Sequence, residues 1–225
     1  QASKVIHFGG ASHGRSTASA LKSYQVRNAD IFREKWAEQL RACLPPDSDL
    51  DKAALRGNGP QVLVVDAEML TPDQDSGSLR MFNFLRILVK LGFSVSFAPG
   101  NLDEAQKGRW LLEKNGIRVV SRPYTDSLEE YLQEWGGGFQ LCIVSRPDTA
   151  DLYLDSVKLL CPNALVLYDT VDLHFLRRER ELSLTGVAPA PDSINQSELW
   201  AIDRADGTIA VSDYDREVIQ KKVPG

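Results

Sequence analysis

Two stretches of the sequence contain side chains whose types and spacing could support chemistry. The first is Asp75-Ser76-Gly77-Ser78, a turn between an acidic loop and an amphipathic segment. Glycine lets the backbone approach a ligand closely, a serine can cap the first helical turn, and the free amides of such a turn attract anions. Ser-Gly-Ser is also common at helix starts that bind nothing. The turn therefore indicates either an ordinary cap or a substrate-binding loop.

The second stretch holds Asp169, Asp172 and His174, which follow an apolar run. An imidazole titrates near neutrality and can exchange a proton or a hydrogen bond with a hydroxyl group or a developing charge. The stretch therefore predicts a catalytic pair, Asp172 and His174, beside a substrate-binding carboxylate, Asp169. The alternative is that Asp172 caps a helix and that His174 is an ordinary surface residue.

Two further polar residues, Arg146 and Ser212, each follow another apolar run. If these runs are parallel strands, their carboxyl ends share one edge of a sheet, and ligands of such sheets bind beyond that edge. We therefore predict that both residues face the same substrate as Asp169. The alternatives are a surface ion pair for Arg146 and an ordinary helix cap for Ser212.

The elements that must position these residues alternate from Gln61 onward, as in βαβ units of a parallel sheet. The predicted strands are 61–66, 93–98, 117–120, 139–144, 164–168 and 208–211. The predicted helices are 78–91, 103–114, 126–135, 148–160, 172–184, 192–204 and 213–221. Four of these helices have an aspartate placed to cap the first turn: Asp103, Asp126, Asp148 and Asp213. The pattern predicts an α/β fold with a Rossmann-like doubly wound parallel sheet over residues 58–225.

Residues 1–57 have a different character. A helix over about 18–42 and a stretch rich in Pro, Asp and Gly over 44–60 predict an N-terminal helical appendage followed by a linker. The appendage carries nine basic and six acidic side chains, whereas the remainder carries 17 and 25. The net charge of -5 lacks the basic excess that nucleic-acid binding requires, so we expect no nucleic-acid partner.

No metal site and no bound cofactor are predicted. The Asp-x-Asp triplets, which begin at Asp47, Asp49, Asp73 and Asp213, lie where acidic residues are ordinary, in loops and at helix starts. A dinucleotide site needs G-x-G-x-x-G after the first strand, and only Gly77 occurs there. The sequence therefore disfavours a hydride-transfer enzyme.

The cysteines and the apolar runs bear on where the protein is found. Cys43, Cys142 and Cys161 lack the spacing of a disulfide framework or a zinc site, which favours a reducing compartment. The longest unbroken apolar run, 164–168, is too short to cross a membrane. We expect a cytoplasmic protein, either free or peripheral at the inner membrane, with no transmembrane segment. Because the chain begins with Gln1 and stops after a helix-like stretch, we also expect a piece of a longer protein.

Four motifs in order resemble the N-terminal half of family 4 retaining glycosyltransferases. They are 72–80 (PDQDSGSLR), 88–99 (LVKLGFSVSFAP), 168–174 (YDTVDLH) and 210–217 (AVSDYDRE), and the resemblance spans about 60–225. It implies one half of a GT-B fold, in which two Rossmann-like domains face each other across a cleft. In that family the N-terminal domain mainly binds the acceptor and the C-terminal domain holds the nucleotide sugar. The resemblance implies that the donor-binding domain is missing from this chain.

The resemblance also implies roles for individual residues. Ser76-Gly77-Ser78 is similar to the glycine loop that closes over the donor phosphate and the acceptor. Asp172 or His174 is similar to the polar group beside the transferred sugar. Arg80, which ends the first motif, is added to the substrate-binding residues. The full predicted set is Asp75, Ser76, Gly77, Ser78, Arg80, Arg146, Asp169 and Ser212.

The N-terminal segment resembles another family. The stretches 7–12 (HFGGAS), 24–28 (YQVRN) and 32–36 (FREKW) resemble the C-terminal tail of a family 2 glycosyltransferase of the GT-A type. There a histidine lies near the metal-bound diphosphate, and His7 would inherit that role. The alternative is a structural histidine on a remnant strand.

Together the two resemblances imply a fragment of a glycosyltransferase of polysaccharide biosynthesis, with the preceding module's tail attached. The whole enzyme would transfer a hexosyl group from a nucleotide sugar to a glycan or a lipid-linked acceptor, and we expect the fragment alone to be inactive. The alternative from another class is a non-catalytic glycan-binding or scaffolding module. A hydrolase or an epimerase is less favoured, because the G-x-S-x-G elbow and the dinucleotide fingerprint are both missing.

Overall fold

The computed structural model describes residues 23–41, 59–103, 105–176 and 193–223. The chain divides into two compact units, Gln1–Gly57 and Asn58–Gly225. In the first unit, helix α1 covers Ser23–Lys35 and helix α2 covers Ala37–Arg41. His7, Cys43 and most of the predicted linker lie outside the described residues.

The second unit is a six-stranded sheet with helices on both faces. Its strands are β1 Gln61–Asp66, β2 Ser94–Pro99, β3 Arg118–Val119, β4 Leu141–Ser145, β5 Leu165–Asp169 and β6 Gly207–Ile209. Its helices are α3 Ser76–Lys90, α4 Gln106–Lys114, α5 Leu128–Trp135, α6 Pro147–Leu160, α7 Ser193–Arg204 and α8 Asp213–Lys222. The strand order is β3-β2-β1-β4-β5-β6, and every adjacent pair is parallel. The predicted Rossmann-like doubly wound parallel sheet is confirmed.

Two apolar cores lie on the two faces of this sheet. Along β1, Val62 and Val64 enter the core that includes side chains of α3 and α4, whereas Leu63 and Val65 enter the core that includes side chains of α5 to α8. All six residues of β1 are buried. A strand covered on both faces must be apolar on both, which explains why β1 is a continuous apolar run rather than an alternating one.

Helix starts differ from the prediction. Ser127 caps α5 and Ser212 caps α8, each through a side-chain oxygen that accepts a backbone amide. Helices α4 and α6 begin without a side-chain cap hydrogen bond, and Pro147 at the start of α6 has no amide that needs one. The predicted caps were therefore wrong at all four positions: Asp103, Asp126, Asp148 and Asp213.

Helices α3 and α4 end in the same way. The amide of Gly92 donates to the Val89 carbonyl and the amide of Phe93 donates to the Leu88 carbonyl, at 3.0 and 3.1 Å. The same pattern recurs at Gly116, and both glycines have φ near +80°, at 87 and 78°. These are Schellman motifs, which favour glycine because the left-handed conformation strains other residues.

The remaining predictions about the second unit concern one helix and two cysteines. Of the predicted helix 172–184, residues 174–176 are helical and residues 177–192 lie outside the described part of the chain. Cys142 and Cys161 are free thiols and both are buried.

Among the described residues, no helix is both long and apolar enough to cross a membrane.

Candidate functional site

The candidate site lies at the switch point, the crevice beyond the carboxyl ends of β1 and β4. The chain leaves β1 towards β2 and β3 on one side of the sheet and continues from β4 on the other side, which opens a crevice where ligands of this fold bind. Asp66 ends β1 and Arg146 directly follows β4. Arg146 Nε donates to Asp66 Oδ1 at 2.7 Å, so an ion pair bridges the switch point.

A second ion pair lies at the end of the next strand. Arg80 of α3 donates two hydrogen bonds to the two carboxylate oxygens of Asp169, both at 2.8 Å. Ser145 Oγ also donates to Asp169, at 3.2 Å. The structure thus brings together three predicted residues, Arg80, Arg146 and Asp169. Sequence reasoning did not select Asp66 and Ser145 as site residues. Asp66 is the last residue of the predicted strand 61–66, and Ser145 directly follows the predicted strand 139–144.

The two ion pairs share one electrostatic character. The side chains of Asp66 and Asp169 are 3 and 1% exposed, whereas those of Arg146 and Arg80 are 31 and 32% exposed. Burial raises the pKa of Asp66, although the Arg146 guanidinium opposes that rise, and the hydrogen bonds that Arg80 donates to Asp169 raise the pKa of Arg80. Each guanidinium is therefore neutralised by a buried carboxylate, while about a third of each arginine side chain stays exposed.

Gly77 lies against the Arg146 guanidinium at the start of α3. A Cβ atom on Gly77 would lie 3.0 Å from Arg146 Nη2 and 3.9 Å from Val171 Cγ1. A larger residue would therefore displace the Arg146 guanidinium. The glycine in the predicted loop is explained by this close approach within the chain itself.

Asp75 rather than a serine caps helix α3. Its Oδ1 accepts the amide of Ser78 at 2.7 Å, and its Oδ2 accepts the hydroxyl of Thr71 at 3.1 Å. The hydrogen bonds from Ser78 hold the pKa of Asp75 below its ordinary value. The expectation that Ser76 or Ser78 supplies the cap was wrong, because Asp75 occupies the extended position from which a side chain reaches back to the helix amides.

The backbone is strained at two neighbouring strand ends. Arg146 has φ of 77° and Val171 has φ of 59°. A positive φ is rare for any residue other than glycine and is a true outlier for a β-branched one. The amide of Asp172 donates to the Thr170 carbonyl at 2.6 Å, which closes a tight turn at Val171. Such strain concentrates at functional sites, and here the strained turn directly precedes Asp172 and His174.

Asp172 and His174 lie side by side after that turn. His174 Nε2 is 3.3 Å from Asp172 Oδ1, with side-chain exposures of 23 and 43%. The buried carboxylate of Glu198 in α7 accepts the amides of His174 and Phe175, at 3.2 and 3.0 Å. Glu198 therefore satisfies the first amides of the turn at 174–176, and Asp172 can orient the imidazole. Sequence reasoning missed Glu198, because only the tertiary fold brings α7 to this turn.

The other predicted residues lie apart from the ion pairs or play local roles. Ser212 accepts the amide of Asp215 at 3.1 Å as the cap of α8, which agrees with the alternative stated for it. Ser76 is exposed and Ser78 is buried in the first turn of α3. Among the described residues, no group of three or more His, Cys, Asp and Glu side chains is placed to hold a metal ion.

The fold and this geometry are the basis on which a function must be inferred. No family model, no curated protein and no solved structure matches the chain.

Proposed function

We propose that residues 58–225 form the acceptor side of a glycosyltransferase cleft, which receives a sugar from a nucleotide sugar and passes it to a glycan or a lipid-linked acceptor. The observation that carries the proposal is the convergence at the switch point. There the Gly77 backbone meets the Arg146–Asp66 ion pair and the strained turn at Val171, and that turn leads directly into the Asp172–His174 pair.

The roles of the residues follow from this geometry. His174, whose Nδ1 is buried, positions Asp172 through Nε2 at 3.3 Å, and the Asp172 carboxylate, which is 43% exposed, accepts a hydrogen bond from the acceptor hydroxyl that receives the sugar. The N–H groups of Arg80 and Arg146 that do not contact Asp169 and Asp66 donate hydrogen bonds to oxygens of the acceptor. The nucleotide sugar would be held by a second domain, whose cations would stabilise the leaving diphosphate together with backbone amides of the glycine turn, Ser76-Gly77-Ser78, from this unit.

One observation favours a second candidate function, glycan binding without chemistry. Both guanidiniums at the switch point are neutralised by carboxylates of this same unit, Asp66 and Asp169. Neutral donors of this kind suit the hydroxyl oxygens of a saccharide better than the diphosphate of a departing nucleotide. A glycan-binding module would need nothing more than this edge of the sheet.

The effect of a substitution at Gly77 on the affinity for a glycan tests the proposal. The chain is screened on a glycan array, and the affinity for the strongest glycan is measured by NMR titration for the wild type, Gly77→Val and Gly137→Val. The second variant is the matched control, because a Cβ on Gly137 meets no atom within 4 Å. We expect Gly77→Val to lose about tenfold in affinity or more, and Gly137→Val to bind as the wild type does.

Two outcomes would contradict the acceptor-side assignment. One is equal glycan affinity in Gly77→Val and the wild type, with both folded by circular dichroism. The other is tighter binding of UDP-glucose or GDP-mannose than of any glycan on the array. The two candidate functions separate when the chain is joined to a donor-binding domain, since only the transferase then releases nucleotide in the presence of the glycan.

A further inference from the structure

A second concave surface lies away from the switch point, between α4 and the loop after β3. Its cavity measures about 300 Å³ and is lined by Gln106, Arg109, Trp110, Glu113 and Pro123. This volume is at the small end of the range for ligand pockets, roughly 300 to 1,000 Å³. None of these five residues belongs to the site described above.

The cavity has one aromatic lining residue, Trp110, that does not pack into the protein core. Trp110 is 58% exposed and Tyr124, next to Pro123, is 76% exposed, whereas Leu112 on the inner face of α4 is fully buried. Trp110 lines the cavity, and Tyr124 lies beside it through its contact with Arg109; a large exposed ring in a cavity wall is typical of binding surfaces. The Lys114 ammonium lies 4.8 Å from the Trp110 ring centroid, which favours one orientation of the indole.

The polar groups of the cavity are paired and electrically balanced. Arg109 Nε donates to Glu113 Oε1 at 2.8 Å, and this hydrogen bond raises the pKa of Arg109. The Arg109 guanidinium also lies 4.8 Å from the Tyr124 ring centroid. An anion placed here would face the Glu113 carboxylate. A ligand with adjacent hydroxyl groups, in contrast, can donate a hydrogen bond to that carboxylate and accept one from the Arg109 guanidinium. The amide of Gln106 adds one more donor and one more acceptor.

We propose that this surface, the Trp110 cleft, binds one pyranose ring of a saccharide. The apolar face of the ring packs on the Trp110 indole, and its hydroxyls hydrogen bond to Gln106 and to the Arg109–Glu113 pair. An aromatic plane beside planar polar side chains matches a pyranose, which has apolar C–H groups on its faces and hydroxyls at its rim. Saccharide binding at the cleft does not depend on the proposed function.

The assignment of a particular sugar of the acceptor to the cleft does rest on the proposed function. Strand β3 lies two strand spacings from β1, roughly 10 Å, and its following loop leaves from the same edge of the sheet as Asp66. Helix α4 is tied to the loop that precedes α3, because Lys107 Nζ lies 2.7 Å from Asp73 Oδ2. The Trp110 cleft therefore holds a sugar of the acceptor that is remote from the hydroxyl that reacts.

The indole N–H resonance of Trp110 provides a direct test in the full chain. It is assigned in a ¹H–¹⁵N spectrum as the signal missing in Trp110→Ala, and the chain is titrated with the strongest glycan from the array. We expect this resonance to shift on binding and Trp110→Ala to lose about tenfold in affinity. Trp36→Ala is the matched control, because it removes a tryptophan of the other unit that is also exposed, at 39%.

The outcomes keep this inference separate from the proposed function. Loss of affinity in Trp110→Ala together with normal affinity in Gly77→Val supports the cleft and contradicts the acceptor site at the switch point. The reverse result overturns the cleft. A Trp110 resonance that stays fixed with every glycan at millimolar concentration, or that shifts more with inorganic phosphate or AMP than with a glycan, also overturns it. Thermal unfolding of each variant shows that the exposed substitutions leave the fold intact.

Discussion

At the scale of single residues, the switch point depends on contacts between parts of the chain that are far apart in sequence. Arg80 and Asp169 are separated by 89 residues, and Arg146 and Asp66 by 80. The sequence predicts that Arg146 and Asp169 share an edge of the sheet, because both follow apolar runs. It cannot predict which carboxylate each guanidinium contacts, since that choice depends on the order of the strands and on the rotation of α3.

The Arg80–Asp169 pair makes a stability prediction at this scale. Asp169→Asn keeps the shape of the side chain but removes the charge that holds a bidentate guanidinium at a 1% exposed position. We expect a loss of about 2 kcal/mol in the free energy of unfolding, the usual contribution of a hydrogen bond to a charged group at a buried site. Urea denaturation at neutral pH measures it.

The control is an ion pair of similar length on the surface, formed by a single hydrogen bond. Arg204 Nε lies 2.7 Å from Asp155 Oδ1, but the two side chains are 49 and 64% exposed. Asp155→Asn should therefore cost less than about 1 kcal/mol. Equal losses in the two variants would mean that burial does not strengthen the Arg80–Asp169 pair.

At the scale of elements, strands were easier to predict than helix boundaries. The apolar run of β1 is continuous because both faces are covered, and this constraint is visible in the sequence alone. Adjacent polar residues such as Asp126 and Ser127 have nearly equal preferences for the N-cap position of a helix, so the sequence does not determine which one caps. Packing of the helix on the sheet decides that choice, which explains why Ser127 and Ser212 cap helices for which a neighbouring aspartate was predicted.

The cap of α3 makes a prediction about pH. Asp75→Ala removes the acceptor of the Ser78 amide and should cost about 1 kcal/mol in the free energy of unfolding at pH 7, whereas Asp75→Asn should cost only a fraction of that. The pKa of Asp75 is lowered from 3.8 in the folded chain, so its carboxylate stabilises the fold fully above that value. This contribution is lost as the pH falls through the lower, folded pKa.

Urea denaturation of the wild type and of Asp75→Asn between pH 7 and pH 3 isolates this contribution. The asparagine variant keeps an acceptor at the cap but cannot titrate, so the difference in stability between the two proteins should shrink in acid. A difference that stays constant, or that grows as the pH falls, would show that ionisation of Asp75 does not stabilise α3.

At the scale of the whole molecule, the position of the site follows from the topology rather than from any one motif. Alternating strands and helices predict a parallel sheet, but the order β3-β2-β1-β4-β5-β6 depends on which side of β1 each crossover takes. That order makes the neighbours of β1 the strands β2 and β4 and so places Asp66 beside Arg146. Three of the predicted site residues, Arg80, Arg146 and Asp169, therefore lie together at the switch point that this order creates between β1 and β4.

The last prediction is that residues 58–225 fold without residues 1–57. Among the described residues, every member of the two apolar cores lies between Val62 and Val223, so the shortened chain keeps all of these side chains. We expect the shortened and full chains to show the same cooperative unfolding of the sheet, with midpoints that agree within roughly 2–4 °C, which corresponds to about 1 kcal/mol at this size. Circular dichroism during heating measures both midpoints. If the shortened chain lost its cooperative transition while retaining helical signal, the cores would depend on the first unit, and glycan binding would have to be studied in the full chain alone.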